Sequence, residues 1–494
     1  MRTTADLHAE DKSPLETAIG PGRPDAGLPA EPFATYRKPL ELAAELALSY
    51  LEGIPDRRVG ADVALAEQVR SRLARPLSEN GEDPEAVVAE LAAAADPGLT
   101  TMNGPRYFGF VIGGTLPAAL AADWLTSAWD QNAGMHITTP AAAVEVIAGA
   151  WLVELLGLAP ETSVGFTTGA TTANMTCIAA ARHEVLRRAG WDVEADGLQG
   201  APPVTVVAGE EVHPSVSKAL RLVGLGQKTG LRVATDEQGR MRLDALRRAL
   251  GSVKGPVIVA VQLGNVNSGA FDPLEQIVPL VRELPNAWLH VDGAFGLWAA
   301  TSPRLRSLAA GLSEVDSAAT DAPKWRYTPY DPGLAFVRNE SAVRASMSIA
   351  AAYLPASPNE RDPFEYAPEM SRRARGLPVY AALRSLGRRG LTDLIERSCA
   401  IATLMAERLA ADPAVRILND VVLNQVLVRF GDDDALTKEV IRRVQVDGTL
   451  WAGGTVWHGL GAMRLSVSGW STSDADALIS VEAILRALHE AQSS

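Results

Sequence analysis

Cysteine is nearly absent from this sequence: Cys177 and Cys399 are the only two in 494 residues. Each lies in a helix-like apolar stretch, which argues against a disulfide scaffold, and two thiols cannot build a cysteine-based metal cluster at usual spacings. Lysine is scarce too. Of 46 basic residues only seven are Lys12, Lys38, Lys218, Lys228, Lys254, Lys324 and Lys438, the rest being arginine. Chemistry that needs a primary amine therefore has few candidates. Positive charge is short overall, since 59 acidic residues leave a formal net charge of −13. That argues against nucleic-acid or anionic-membrane partners, because both require a basic face. No run of about 18 apolar residues free of charges and breakers occurs; Leu116–Trp129 is interrupted by Pro117 and Asp123. The first 35 residues are polar, acidic and rich in Pro and Gly, without the apolar segment of a secretory signal. The expectation is a flexible arm on a cytoplasmic protein with no membrane span. What is present, 47% hydrophobic and 21% charged residues, is ordinary globular composition and excludes a mostly disordered chain.

The length exceeds a typical domain of roughly 100–200 residues, so one large domain with smaller companions is expected. Residues 36–100 read as a helical segment, with Pro39–Leu51 and Pro84–Ala95 as its clearest helices. Thr101–Phe110 is an aromatic, loop-like stretch that opens a large domain running to about 340. Within it, from about residue 140, short β-branched runs alternate with helical stretches. Val204–Val207 precedes a helix near His213–Val223, and Pro256–Leu263 precedes one near Leu274–Leu284. Ala287–Asp292, Ser317–Thr320 and Leu334–Val337 read as further strands. This alternation predicts an α/β fold with a mostly parallel sheet covered on both faces, whose ligands sit at the carboxyl ends of the strands. Residues 341–370 lack periodicity and contain Pro355, Pro358, Pro363 and Pro368; they read as a long lid loop. In residues 371–494 a helical stretch is followed by Asn419–Phe430 and Ala462–Ser468, which alternate like strands and suggest a small α+β domain.

Four features fall at strand ends in this reading. Phe166–Asn174 (FTTGATTAN) runs into a helical stretch, Met175–Ala189. Small residues at such a turn free backbone N–H groups, and a helix N-terminus favours an anion, although a merely capped helix start reads the same way. Asp292 in HVDGAFG closes an apolar strand, where an acid must meet a cation or donors, and Gly293 and Ala294 would let a flat ring lie close. Lys324 in DAPKW is the only lysine between positions 254 and 438 and has Trp325, Tyr327 and Tyr330 for neighbours. His213 in GEEVHPSVSKAL follows another strand. Singly, each has an ordinary structural explanation. Together, an anion cradle, an imidazole, an acid and a lone amine on one parallel sheet are the set that pyridoxal phosphate needs: an amine for the Schiff base, an acid for the ring nitrogen, a flat partner for the ring and donors for the phosphate.

The elements GPRYFGF, FTTGATTAN, EEVHPSVSKAL, NVNSGAFDP, HVDGAFG, DAPKW and SRRARG, in this order and spacing, resemble the group II pyridoxal-phosphate-dependent amino-acid decarboxylases, relatives of the aromatic-amino-acid and glutamate decarboxylases. The resemblance spans about Thr101 to Trp470. It implies the fold type I, aspartate-aminotransferase-like large domain with a mostly parallel seven-stranded sheet, and a homodimer with active sites at its interface, where Asn132–Met135 would reach the neighbouring pocket. It implies Lys324 as the Schiff-base lysine, Asp292 on the pyridine nitrogen, and His213 stacked on the ring and touching the substrate carboxylate. Ala294 would pack behind the ring, Ala170 and Thr171 would hold the phosphate, and Asn265 stands where the family has a threonine near the cofactor. Tyr107, Phe108 and Phe110 would line the substrate side, although these aromatics also suit a core. Tyr353, within the lid, stands where the family carries the tyrosine that returns a proton to Cα.

Two departures stand out. Pro323 replaces the histidine that usually precedes the lysine and supports the phosphate. Arg326 and Tyr327 replace apolar or amide residues; Arg326 would either supply the lost donor or bind a substrate carboxylate. The reading is decarboxylation of an L-amino acid, with a lean to aromatic or bulky apolar side chains. Oxidative formation of an aldehyde or ketone, or carbon–carbon chemistry on an amino acid, is the alternative.

Overall fold

The computed structural model describes residues 32–493 except 62–64, 229, 326 and 350–360. The described parts of Met1–Gly53 and Val63–Gly98 form one compact unit, and Ile54–Asp62 with Leu99–Ser494 form a second. The first unit is helical. Its helices are Arg37–Gly53, Leu65–Leu73 and Pro84–Ala95. The last begins where the Asp83 carboxylate accepts the N–H groups of Glu85 and Ala86 and Pro84 takes the first helical position, a cap that satisfies donors the helix itself leaves free.

The second unit is built on two sheets. Seven strands form the larger: β1 (Ser163–Thr167), β2 (Thr205–Gly209), β3 (Leu231–Val233), β4 (Val257–Gln262), β5 (Ala287–Asp292), β6 (Ser317–Asp321) and β7 (Gly333–Val337). Their order is β1-β7-β6-β5-β4-β2-β3, and only β7 runs against its neighbours. β4, β5 and β7 are buried along their whole length, as expected of strands covered on both faces. On one face the helix Ala170–Arg188 lays Ala173, Cys177, Ala180 and Ala181 against Ile258, Trp288, Ala319 and Ala335; its small side chains admit the close approach. The other face carries the largest core, in which Leu152, Leu289, Trp298 and Phe336 take part.

Four antiparallel strands form the smaller sheet: β8 (Val415–Ile417), β9 (Gln425–Phe430), β10 (Gly453–Trp457) and β11 (Leu460–Ser466), in the order β10-β11-β9-β8. The helix Gly376–Ala410 leads to it and is broken at Gly387, whose φ of 62° and ψ of −175° no helix tolerates. The α/β class and the mostly parallel seven-stranded sheet match the sequence reading. Two details differ from it. The Thr101–Phe110 segment packs with the C-terminal sheet: Phe108 pairs its backbone with Trp451 and Ser466 and its ring joins the core of Val428, Phe430 and Leu465. Within 341–370, read as loop, lie the helix Glu340–Met347, capped by the Asn339 side chain, and a short helical turn at Pro363–Tyr366.

Among the described residues one helix, Thr139–Leu156, is long and apolar enough to cross a membrane by length and composition. In this fold its Glu145 forms a buried ion pair with Arg372 at 2.8 Å, and Arg372 also donates to the Phe166 carbonyl of β1. That is a core helix's way of satisfying a carboxylate.

Candidate active site

Four turns at the carboxyl ends of the strands β1, β2, β5 and β6 converge. After β1, Gly169 adopts a φ of 142° and the helix Ala170–Arg188 begins at once. Gly333, at the start of the neighbouring β7, lies so close that a Cβ there would overlap the Gly169 backbone, which explains glycine at both positions. Ala173 is the first residue to donate back into this helix, so the N–H groups of Ala170, Thr171 and Thr172 have no acceptor within it. Thr168 and Thr172 share a hydroxyl hydrogen bond of 2.9 Å across the turn. This is the geometry of an anion cradle.

Asp292 closes β5 and is 3% exposed. Its Oδ1 accepts the Ala294 N–H (3.2 Å) and its Oδ2 the Ser215 hydroxyl (3.3 Å). A buried chain of hydrogen bonds ends on it, and the donors fix its direction. The indole of Trp288 donates to Ser317 (2.8 Å), Ser317 to His290 Nδ1 (2.9 Å), His290 Nε2 to Asn174 Oδ1 (2.9 Å) and Asn174 Nδ2 to Ser215 (3.3 Å). Because an indole only donates and a carboxylate only accepts, the chain runs from Trp288 to Asp292. Burial holds the His290 pKa down to about 4, so its ring is neutral, as this direction requires.

His213 follows β2 and caps the helix Pro214–Leu222: its Nδ1 accepts the Ser215 N–H at 3.2 Å and lies 2.7 Å from the Ser215 hydroxyl. The Ser215 hydroxyl carries a single proton, which serves either Asp292 or His213 Nδ1, and the His213 tautomer follows that choice. Burial lowers its pKa, Asp292 opposes that shift, and the charges of Lys324 and Arg464 reinforce it. Lys324 stands on a single turn, Ala322–Trp325, directly after β6. Its Nζ lies 3.6 Å from Asp321 Oδ2. Burial raises the Asp321 pKa against the pull of Lys324 and of the Ala170 N–H, and Asp292 adds to the rise. Lys324, Asp321, Asp292, His213 and Ala170 thus lie within one another's electrostatic reach.

The other expected residues divide. Ala294 touches Asp292 through its N–H, and Thr171 lies on the first turn of the Ala170–Arg188 helix. Tyr107 is buried and stacked on Trp451 at 5.2 Å; Phe110 stacks on the same indole at 5.5 Å and is 60% exposed. Phe108 is a correction: at 1% exposure in the C-terminal core it has no face left for a substrate. Asn265 follows β4, and its side-chain oxygen accepts the N–H groups of Asn267 (2.8 Å) and Ser268 (3.2 Å), which holds the turn. Asn132 is tied within its own chain to Ser371 and Arg372. Arg326 and Tyr353 lie outside the described residues.

Sequence reasoning missed Arg464. It is the one basic residue on β11, between buried Met463 and Leu465, and its guanidinium reaches the Val266 carbonyl (3.4 Å) beside Asn265. It missed Ser215, Asn174 and His290 as partners as well. Tyr330 was named only as a neighbour of Lys324; burial pushes its pKa up to about 12, with Asp321 and Tyr107 contributing. A cavity of about 580 Å³ on the far side of β1, lined by Val153, Ser163, Glu340 and Arg361 among others, shares no residue with the Lys324 cluster.

These residues fit pyridoxal phosphate on their own chemistry: an amine, a buried acid, an imidazole and a glycine-opened helix start. Comparison with known proteins agrees. Residues 67–430 match the model of the pyridoxal-dependent decarboxylase conserved domain. The chain is 25% identical over 418 residues to an aromatic-L-amino-acid decarboxylase of Bacillus atrophaeus, covering 81% of this chain and 83% of that protein. It is 30% identical over 368 residues to an L-2,4-diaminobutyrate decarboxylase of Rhizobium meliloti, covering 72% and 71%. The crystal structure of Oryza sativa TDC with PLP and tryptamine superposes with a TM-score of 0.86 at 22% identity, covering 94% of this chain and 99% of that one, which shows a shared fold.

Proposed function

The chain belongs to the pyridoxal-dependent decarboxylase family, and on that premise we propose that it converts an aromatic or bulky apolar L-amino acid to the amine and carbon dioxide. It is a lyase that uses pyridoxal phosphate to decarboxylate an amino acid. The observation that carries the division of labour is the convergence of Lys324, Asp292, His213 and the Gly169–Thr172 turn at neighbouring strand ends. The N–H groups of Ala170 and Thr171 would hold the phosphate, and the Asp292 carboxylate would pair with the ring nitrogen. Lys324 would bind the cofactor's carbonyl carbon through its amine. The cofactor supplies an electron sink for the pair released when the Cα–carboxylate bond breaks. His213 would present a flat imidazole face to the ring. Arg464, the cation whose field His213 feels, would anchor the substrate carboxylate. Tyr353 would return the proton to Cα, the step that separates amine from aldehyde.

The aromatic lean rests on Phe110 stacked on Trp451, and on the relative from Bacillus atrophaeus. We further propose a cytoplasmic homodimer. Two unpaired cysteines suit a reducing compartment, and outward apolar side chains suit a second copy.

Mass spectrometry of products from the protein, pyridoxal phosphate and a panel of L-amino acids, with oxygen uptake recorded, tests the reaction. The expected product is an amine of substrate mass less carbon dioxide, without oxygen uptake, best with aromatic substrates. An aldehyde formed with oxygen uptake would overturn the amine reading. In Tyr353→Phe the expected change is a fall in amine yield and a rise in aldehyde; an unchanged ratio would remove Tyr353 from the proton transfer.

A further inference from the structure

The hydroxyl of Ser215 has one proton and two acceptors that compete for it. Its Oγ lies 2.7 Å from His213 Nδ1 and 3.3 Å from Asp292 Oδ2. A third neighbour, Asn174, is taken out of the competition by the buried chain behind it. The Trp288 indole can only donate to Ser317, so every later member passes a donor onward. Ser317 donates to His290 Nδ1, His290 Nε2 to Asn174 Oδ1, and Asn174 Nδ2 to Ser215 at 3.3 Å. Ser215 therefore accepts from Asn174, and its own proton goes to Asp292 or to His213.

That choice fixes the imidazole. A contact of 2.7 Å between Nδ1 and Oγ is a hydrogen bond and holds one proton. If Ser215 gives its proton to Asp292, the proton in this contact is the ring's own, on Nδ1, and the Ser215 N–H gives up its acceptor. If Ser215 gives its proton to Nδ1, the neutral ring carries its proton on Nε2. Nδ1 then also accepts the Ser215 N–H at 3.2 Å. Asp292 decides between the two. It is 3% exposed, and apart from Ser215 its carboxylate has one hydrogen-bond donor among the described residues, the Ala294 N–H. Leaving a buried charge short of a donor costs more than leaving a neutral N–H short of an acceptor. A charge-assisted hydrogen bond is also roughly twice as strong as a neutral one. With the site empty, Asp292 therefore claims the hydroxyl. A protonated ring nitrogen set against the carboxylate would meet that demand, and the shorter contact to His213 would then prevail.

We propose that Ser215 couples the cofactor's ring nitrogen to His213: when that nitrogen pairs with Asp292, the Ser215 proton turns from Asp292 to His213 Nδ1, and the imidazole proton moves from Nδ1 to Nε2. The Nδ1 proton leaves and Nε2 gains one by exchange with solvent, so the ring stays neutral and no net proton is taken up. Ser215 is a positioning residue that acts through His213. It gives the imidazole a donor on the edge away from the helix Pro214–Leu222 only when the cofactor is seated. This rests on the reading that Asp292 pairs with the ring nitrogen.

The test uses the full chain with nitrogen-15 in its histidines at pH 8, above the ordinary imidazole pKa of about 6.5. Long-range proton–nitrogen spectra report which ring nitrogen is protonated, and His213→Asn identifies the His213 signals. In the wild type His213 is expected to carry its proton on Nδ1 without cofactor and on Nε2 with pyridoxal phosphate. The 1-deaza analogue, whose ring has carbon in place of the nitrogen, should leave the proton on Nδ1. Ser215→Ala keeps the backbone N–H that Nδ1 accepts, so its His213 proton should stay on Nε2 throughout. A wild-type tautomer that is the same empty and loaded, or that changes equally with the deaza analogue, would overturn the coupling. A change on loading that persists in Ser215→Ala would remove Ser215 from it. If Ser215→Ala does not fold, the wild type with the two cofactors decides alone. Affinity separates the coupling from the reading beneath it. Pyridoxal phosphate is expected to bind the wild type roughly tenfold or more tighter than the deaza analogue, as a hydrogen bond to a charged group requires. Equal Kd values would overturn the pairing of Asp292 with the ring nitrogen itself.

Discussion

At the scale of single residues, the chemistry turns on which nitrogen of His213 is protonated and on what keeps that ring neutral. Burial lowers its pKa, and Arg464 adds to that by its charge. Removing the charge lets the pKa rise, so the protonated ring persists to higher pH. Arg464→Gln is therefore expected to move the acid limb of kcat/KM upward in pH. It should also raise KM by roughly tenfold or more, because a hydrogen bond to a charged group is worth about 1.5–3 kcal/mol. A variant with wild-type KM and an unmoved acid limb would place Arg464 outside the substrate's reach. The residues that sequence alone revealed, Lys324, Asp292 and His213, are rare types at the ends of apolar runs, where burial demands a reason for them. Arg464 carried no such mark, because arginine is the chain's ordinary basic residue. Its approach to Val266 across 198 positions exists only once two sheets are assembled.

At the scale of elements, β5 and the turn after β4 each bury a titrating group, and the two oppose each other. His290 on β5 is fully buried and its pKa is held down to about 4. Between its ordinary 6.5 and 4 the unfolded chain binds a proton that the fold refuses, so acidification through that window costs up to about 3 kcal/mol. Asp272 accepts the N–H groups of Met241 (2.6 Å) and Gln262 (2.7 Å), yet burial raises its pKa to about 6. A raised acid gives stability that is present below 3.8 and lost as pH rises through 6, again about 3 kcal/mol. The slopes nearly cancel in the wild type. His290→Gln should leave stability that falls as pH rises from 4 to 6, and Asp272→Asn stability that falls as pH drops from 6.5 to 4. Urea midpoints at several pH values read these directly, and profiles parallel to wild type in both variants would deny the coupling. The strands holding these groups were legible because buried parallel strands read as continuous apolar runs; Ala287–Asp292 has the same limits in sequence and structure. The three-residue β3 and β8 were not legible, being too short for any period to show. The Glu340–Met347 helix hid among prolines, although Asn339 offered a cap signal. Phe108 misled because its partners lie more than 300 positions away, on strands of the other sheet.

At the scale of the whole molecule, several helices carry exposed apolar side chains. In the helical unit, Arg37–Gly53 has no buried residue although it carries Leu40 and Leu48, both more than half exposed. In the second unit the helix Pro117–Trp129 turns Trp124, Leu125 and Trp129 outward, and Thr139–Leu156 does the same with Val146 and Ile147. Single exposed apolar residues are normal, but helices that present them repeatedly mark a covered face. Nucleic acid and anionic membranes suit a chain of net charge −13 poorly, whereas a second copy meets each patch with an identical one through a two-fold axis. The expected particle in sedimentation equilibrium therefore has twice the chain mass at micromolar concentration. Charges placed in such a face leave each protomer's core intact while burying unpaired carboxylates in the dimer, which is costly. Val146→Asp with Ile147→Asp is expected to shift the equilibrium to monomer without loss of helical circular dichroism. The family resemblance implies a site shared across the interface, and on that expectation activity should fall with dimer fraction and recover as concentration rises. A double variant that remains dimeric would move the interface elsewhere. One that becomes monomeric with undiminished activity would show that each chain's site is complete by itself.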